Sequence, residues 1–259
     1  MNELETFLST GVFAFLLTFM RVGTIIMIMP GIGNTFVSGQ VRLCFALALA
    51  LMLSPLLQPY LPAEMPTNTA LFVMLFVEFL IGVFIGTVAR ILVAALDTAG
   101  MIISMQSSLA NAQLFNPAFA SQGSIIGSFL TLTGIMLLFA TDLYHFLVIG
   151  ILRSYEIFPL GIMPPIEGLT QTITDAVASS FMVAIQITAP FLIVILLMYV
   201  GMAVMSKLMP AVQVFMIAIP VQILLALLIL VGVLSAMILY WLAYYEQGMS
   251  LFTFIGKES

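Results

Sequence analysis

Residues Ala70–Leu96 read ALFVMLFVEFLIGVFIGTVARILVAAL, with 17 Leu, Ile, Val and Phe residues and two charges, Glu78 and Arg90. A helix crosses ~30 Å of hydrocarbon with ~20 predominantly apolar residues, and in that medium a helix satisfies every backbone N–H and C=O within one segment. The run is read as a membrane helix. Each Leu, Ile, Val or Phe favours insertion by about 0.3–0.6 kcal/mol, whereas each charge at mid-helix costs about 2.5–3.5 kcal/mol, so the balance is only modestly favourable. Protein neighbours that meet the charges are therefore expected. Glu78 and Arg90 lie about 18 Å apart along a straight helix rising ~1.5 Å per residue, so they cannot pair with each other. Glu78 is followed by Gly82 and Gly86, a small-xxx-small spacing that lets a second backbone come close. This face reads as an assembly seam rather than part of a transport path.

Outward from this run, further apolar stretches occupy Leu4–Met29, Val41–Leu57, Ser124–Leu152, Ile173–Met205 and Pro220–Ala243. The fifth of the six in chain order, Ile173–Met205, is too long for one straight crossing, and Pro190 and Gly201 are where it could bend. Prolines punctuate the intervals: Pro30-Gly31-Ile32-Gly33-Asn34, then Pro55, Pro59, Pro62 and Pro66, then Pro159 to Pro165, then Pro210. Proline lacks the amide donor and disfavours helix in the residue before it. The expected fold is an all-α polytopic membrane protein with about six apolar helical segments. No Lys or Arg precedes Arg21, so the first segment is expected to be permanent rather than a cleaved signal peptide.

Composition agrees. The chain of 259 residues is 63% apolar and 7% charged, against roughly 45–50% and 25% in soluble domains. Six Lys and Arg against eleven Asp and Glu give a net charge of -5, which leaves too few cations for a nucleic-acid surface. The single cysteine, Cys44, rules out an intrachain disulfide and is expected to serve packing. With one histidine and no Ser-His-Asp, Cys-His, phosphate-loop or paired-acid arrangement, neither an enzyme nor a cofactor or metal site is expected. Nineteen methionines suit adaptable packing around irregular gaps.

From Asp97 to Ser124 the chain departs from this alternation: DTAGMIISMQSSLANAQLFNPAFASQGS. Gln106, Ser107, Ser108, Asn111, Gln113, Asn116, Ser121 and Gln122 are threaded between Met101, Met105, Leu114, Phe115 and Phe119. Two structures suit the mixture. Irregular backbone at membrane depth is tolerated inside protein or against a water-filled cavity; alternatively the segment is an interfacial amphipathic helix that turns at Asn116-Pro117. Charges elsewhere in apolar runs are Arg21, Asp142 with His145, and Lys207 at an end. Asp142 and His145, three apart, share a helix face and are candidates for a buried polar pair.

Four patches together resemble the FliR family of the flagellar export apparatus, whose counterpart in virulence secretion is the T subunit. The first is MRVGTIIMIMPGIGNTFVSGQVRLCFALALA, with Arg21, Pro30, Gly31 and Arg42. The second is EFLIGVFIG, with Glu78, Gly82 and Gly86. The third runs from Gly100 through the polar segment and Asn116-Pro117 to Phe129, and on through LYHFLVIGILRSYEIFPLG with His145, Ser154, Pro159 and Gly161. The fourth, MAVMSKLMPAVQVFMIAIPVQI, holds Lys207, Pro210, Gln213, Phe215 and Pro220. The chain departs from the family pattern at Lys207, Ala211 and Asn116, where the family commonly has Arg, Gln and Asp.

The resemblance implies one FliR-type membrane domain over residues 1–259, with a first helical half, 1–123, that ends in a channel plug and a second half, 124–259. Its helices would form kinked hairpins inside a helical hetero-oligomeric export gate built with FliP and FliQ. FlhB and FlhA, membrane-ring and rod proteins, and unfolded flagellar export substrates are the further partners implied, at the bacterial inner membrane in the flagellar basal body. Gln106, Asn111, Phe115, Asn116, Pro117, Phe119 and Gln122 are the plug candidates. Arg21, Pro30, Gly31, Arg42, Glu78, Gly82, Gly86, Lys207, Pro210 and Gln213 are assembly and packing candidates. The alternative from another class is a six-helix secondary transporter for a small solute, with broken helices at its midplane.

Overall fold

The structure, a computed structural model, describes residues 2–34, 36–56, 67–110, 124–209 and 214–254. Among these residues all regular structure is helical: α1 (Asn2–Ile28), α2 (Gly39–Leu53), α3 (Asn68–Gln106), α4 (Ile125–Ala140), α5 (Tyr144–Ile157), α6 (Ile166–Leu208) and α7 (Val214–Phe254). The β-branched and aromatic residues that fill them have modest helix propensity in water, but a chain this apolar must close its own backbone hydrogen bonds. Four helices are long and apolar enough to span a membrane, and α4 with α5 is a fifth if taken as one broken span.

Each expected apolar stretch is helical, with different limits. α3 continues through Asp97 to Gln106, so the first third of the polar segment is helix rather than irregular backbone. The stretch expected at Ser124–Leu152 is broken at Thr141–Leu143, where Asp142 adopts φ 58°, a left-handed conformation that stops α4. α6 is one helix of 43 residues with Pro190 inside it, and α7 likewise contains Pro220. Pro164-Pro165 sets the start of α6, where Glu167 meets the positive end of the helix dipole, and Lys207 meets the negative end in the last turn. α2 is capped by Ser38, whose hydroxyl accepts from the Val41 amide.

The chain forms two compact units. The first comprises Met1–Leu92, Thr141–Ala176 and Glu246–Ser259; the second comprises Val93–Ala140 and Val177–Tyr245. In the first, α1 packs on α2 and on the start of α3, burying Leu17, Ile25, Ile26, Ala46, Ala50 and Ile81. In the second, Trp241 is fully buried and Gly134 faces it: a Cβ there would sit 2.4 Å from Leu96 Cδ1 and 3.1 Å from the indole, so glycine seats the helix against both. Cys44 is exposed in this chain and takes no part in either core.

Candidate functional site

Arg21 sits in α1 with apolar residues on either side, and a guanidinium there needs partners on other elements. It finds them in the first unit. Nε lies 2.6 Å from Glu78 Oε2 and Nη2 lies 3.0 Å from Oε1, a bidentate pair in which both side chains have 0% exposure. Nη1 donates to the Ser154 carbonyl at 2.9 Å and to its hydroxyl at 3.3 Å, and Nη2 also donates to the Phe158 carbonyl at 2.9 Å. The Tyr155 ring lies 3.9 Å below the guanidinium carbon. The Gly161 amide completes the carboxylate's shell. Gly161 has φ 73°, and a Cβ there would meet Met74 Cε at 2.6 Å, so this turn is reserved for glycine.

The glycines after Glu78 serve the same junction. A Cβ on Gly82 would stand 2.8 Å from the Arg21 carbonyl and 2.8 Å from Thr24 Cβ; one on Gly86 would stand 2.9 Å from Ile28 Cβ. The neighbour anticipated for this seam is α1 of the same chain. Pro30 and Gly31 form a buried turn with Gly31 at φ 89°, and Arg42 Nη1 reaches back to the Gly33 carbonyl at 3.3 Å. Arg90 is exposed, and Lys207 is exposed at the end of α6. Pro210 and Gln213 lie outside the described residues.

A second polar cluster occupies the other unit, where α3 ends and α4 begins. Ser104 Oγ and Ser124 Oγ are 2.6 Å apart and buried. Ser124 Oγ donates to the Gly100 carbonyl at 3.0 Å and accepts from the Gly127 amide at 3.0 Å. A Cβ on Gly100 would fall 2.2 Å from Gly127 Cα, so the two backbones are in contact. Ser107 Oγ and the Ala110 amide both donate to the Ser104 carbonyl. Ser108, at φ 60°, donates to Gln222 Oε1 on α7 at 2.6 Å. Among the plug candidates Gln106 closes α3, half-buried; Asn111, Phe115, Asn116, Pro117, Phe119 and Gln122 lie outside the described residues.

Asp142 and His145 are not a buried pair. Their side chains are 78% and 56% exposed, and His145 Nδ1 stands 3.9 Å from Asp142 Oδ1. The helix break puts them at the open corner before α5, where the His145 amide bonds the Asp142 carbonyl at 3.0 Å in a local turn. Among the described residues no group of three His, Cys, Asp or Glu side chains is placed to hold a metal ion. Sequence reasoning marked Arg21 and Glu78 separately but not as partners, because 57 residues part them. Opposite charges buried in neighbouring apolar runs were the available signal.

Residues 12–248 match the family described as bacterial export proteins, family 1. The chain belongs to that family. It is 36% identical to the flagellar biosynthetic protein FliR of Caulobacter vibrioides over 237 residues, 92% of this chain and 94% of that one. It is 24% identical to the FliR of Bacillus subtilis over 225 residues, 86% of each chain. The Yop proteins translocation protein T of Yersinia pestis is 33% identical over 149 residues, 57% of each. The family of FliR and the T protein expected from four short patches is thus the family found, and the match runs through both polar clusters.

Proposed function

We propose that this chain is an export-gate subunit of a flagellar type III secretion apparatus: with FliP and FliQ it builds the channel for unfolded flagellar proteins, and its Gln106–Gln122 stretch is the plug that keeps the channel closed. One observation carries the need for neighbours. Large apolar side chains stay exposed along α6 from Val177 to Leu208, about 47 Å at ~1.5 Å per residue. Hydrocarbon ~30 Å thick covers at most about 39 Å of a helix, even at a ~40° tilt, the upper end of the observed range. Lipid leaves part of this face bare, and the apolar surface of other subunits suits the remainder.

The flagellar assignment follows the relatives matched over most of both chains, which carry the flagellar name. In this role the chain sits in the bacterial inner membrane within the basal body, FlhB and FlhA lie against the gate, and ring and rod proteins surround and extend it. The work is structural and needs no cofactor. The secondary-transporter alternative has no observation in its favour, since the family is one of export proteins. Co-expression with and without FliP and FliQ tests the proposal. A discrete high-mass complex is expected only with the partners, and deletion of Asn111–Asn116 is expected to leave that complex intact but leaky to small ions. A well-behaved monomer under both conditions sinks the assembly, and a tight membrane around the deleted complex sinks the plug.

A further inference from the structure

Between Asp175 and Lys207, α6 carries no charge over 31 residues, and Gln186 is exposed within that run. Hydrocarbon ~30 Å thick holds about 20 residues of a straight helix, and every placement along the run except the last, against Lys207, takes in Gln186. In those placements its side chain meets acyl chains or protein rather than water. The chain itself answers half of the amide. Tyr240 of α7 donates its hydroxyl to Gln186 Oε1, so the oxygen is held while both Nε2 protons remain, with no acceptor for them among the described residues. Acyl chains supply none, and an amide left unmet in an apolar medium is costly. Pro190 adds a second want: it has no amide to give the Gln186 carbonyl four residues earlier, so that carbonyl loses its helical donor.

Space lies beside these groups. Gln186 and Tyr240 are the polar residues lining a hollow of about 350 Å³ between α6 and α7, inside the second unit; Ile187 and Met237, each 3% exposed, are its buried lining, and Pro190 and Ala236 are too short to close it. A helical turn, about 10 Å across and about 5.4 Å long, is too large for it, whereas one knob from a helix lying on the surface fits. The hollow falls on the same apolar length of α6 that lipid leaves partly bare. We infer that it is a docking site for an uncharged hydrogen-bonding side chain, an amide or a hydroxyl, carried on a helix of a neighbouring gate subunit. This deepens the export-gate reading and rests on it. Such a group accepts from Gln186 Nε2 and can donate to the Gln186 carbonyl, whereas a carboxylate donates nothing and finds no cation in the lining to offset its burial. Tyr240 is a positioning residue, since its bond engages the Gln186 oxygen and leaves the donors for the partner.

The test uses the full chain co-expressed with FliP and FliQ, in a Cys44→Ser background where Gln186→Cys carries a benzophenone. Irradiation of the purified complex is expected to join position 186 to FliP or FliQ. Adducts with lipid alone, or with a second copy of this chain, overturn the inference, as does rapid labelling of Gln186→Cys by a water-borne maleimide in the intact complex. The chemistry is read from Gln186→Leu, which keeps the bulk and removes the donors. Recovered complex is expected to fall about threefold to tenfold, the range of one interhelical hydrogen bond, while the melting temperature of the chain alone in detergent stays at the wild-type value. Tyr240→Phe is expected to give a smaller loss of complex in the same direction. Unchanged recovery with Gln186→Leu overturns the docking role, and so does a matching fall in the melting temperature, which makes the residue an internal tie. If the wild-type chain forms no complex with FliP and FliQ, the export-gate reading itself fails; a wild-type complex beside lipid-only adducts defeats the docking site alone.

Discussion

Arg21 and Glu78 show how a buried charge is made tolerable: two parallel hydrogen bonds, two backbone carbonyls, one amide and an aromatic face surround the pair. Removing one partner from such a pair strands the other, at a cost of about 3–5 kcal/mol, whereas replacing both by apolar groups is often close to neutral. Glu78→Leu is therefore expected to lower the detergent melting temperature and folded yield sharply, and Arg21→Leu with Glu78→Leu to recover most of the loss. Arg21→Lys is expected to behave more like the single loss, because an ammonium cannot span both carboxylate oxygens and the Phe158 carbonyl. Thermal unfolding in detergent reads all three, and additive losses in the double variant would show that the two residues act separately. Each charge was legible in the sequence as needing a partner, but the partner was not, since no periodicity links positions 57 residues apart.

Between elements, the recurring device is a glycine where two backbones touch. Gly82 and Gly86 let α3 lie on α1, and Gly100 with Gly127 brings α3 onto α4. The obstacle at Gly82 and Gly100 is backbone rather than the end of a flexible side chain, so a methyl group there forces the helices apart. Gly82→Ala and Gly100→Ala are each expected to cost about 1–3 kcal/mol, whereas Gly201→Ala, which has nothing within 4 Å, should gain a few tenths from helix propensity. Unfolding midpoints of the three variants check this, and equal midpoints would mean the close approaches relax freely. The glycine spacing on α3 was readable as a close-approach face. Which helix fills it was not, because spacing describes one surface and contact needs two.

At the scale of the molecule, the exposed surface of α6 and α7 is apolar over most of its length, and the whole chain is only 7% charged. Contacts made by such a surface depend little on Coulomb attraction, which is largely screened at 1 M salt, where the Debye length is ~3 Å. The complex proposed with FliP and FliQ is therefore expected to survive a rise from 0.1 to 1 M NaCl with less than twofold loss. Tenfold dissociation, read by size in mild detergent, would show instead that charge pairs hold it. The sequence by itself determined that the chain is helical and lives among apolar neighbours, because hydrocarbon leaves the backbone no alternative and a run of ~20 apolar residues needs no distant information to be recognised. It also placed the six apolar stretches in order and the polar segment after the third of them, although α3 continues into that segment as far as Gln106. Only the tertiary structure decided that Arg21 answers Glu78, that α1 is the neighbour of the α3 glycines, that Asp142 breaks a helix instead of sitting inside one, and that Ser108 reaches Gln222. Each of these joins residues far apart in the chain or turns on a single backbone angle, and pair contacts and local dihedrals are settled by three-dimensional packing rather than by the pattern along one segment.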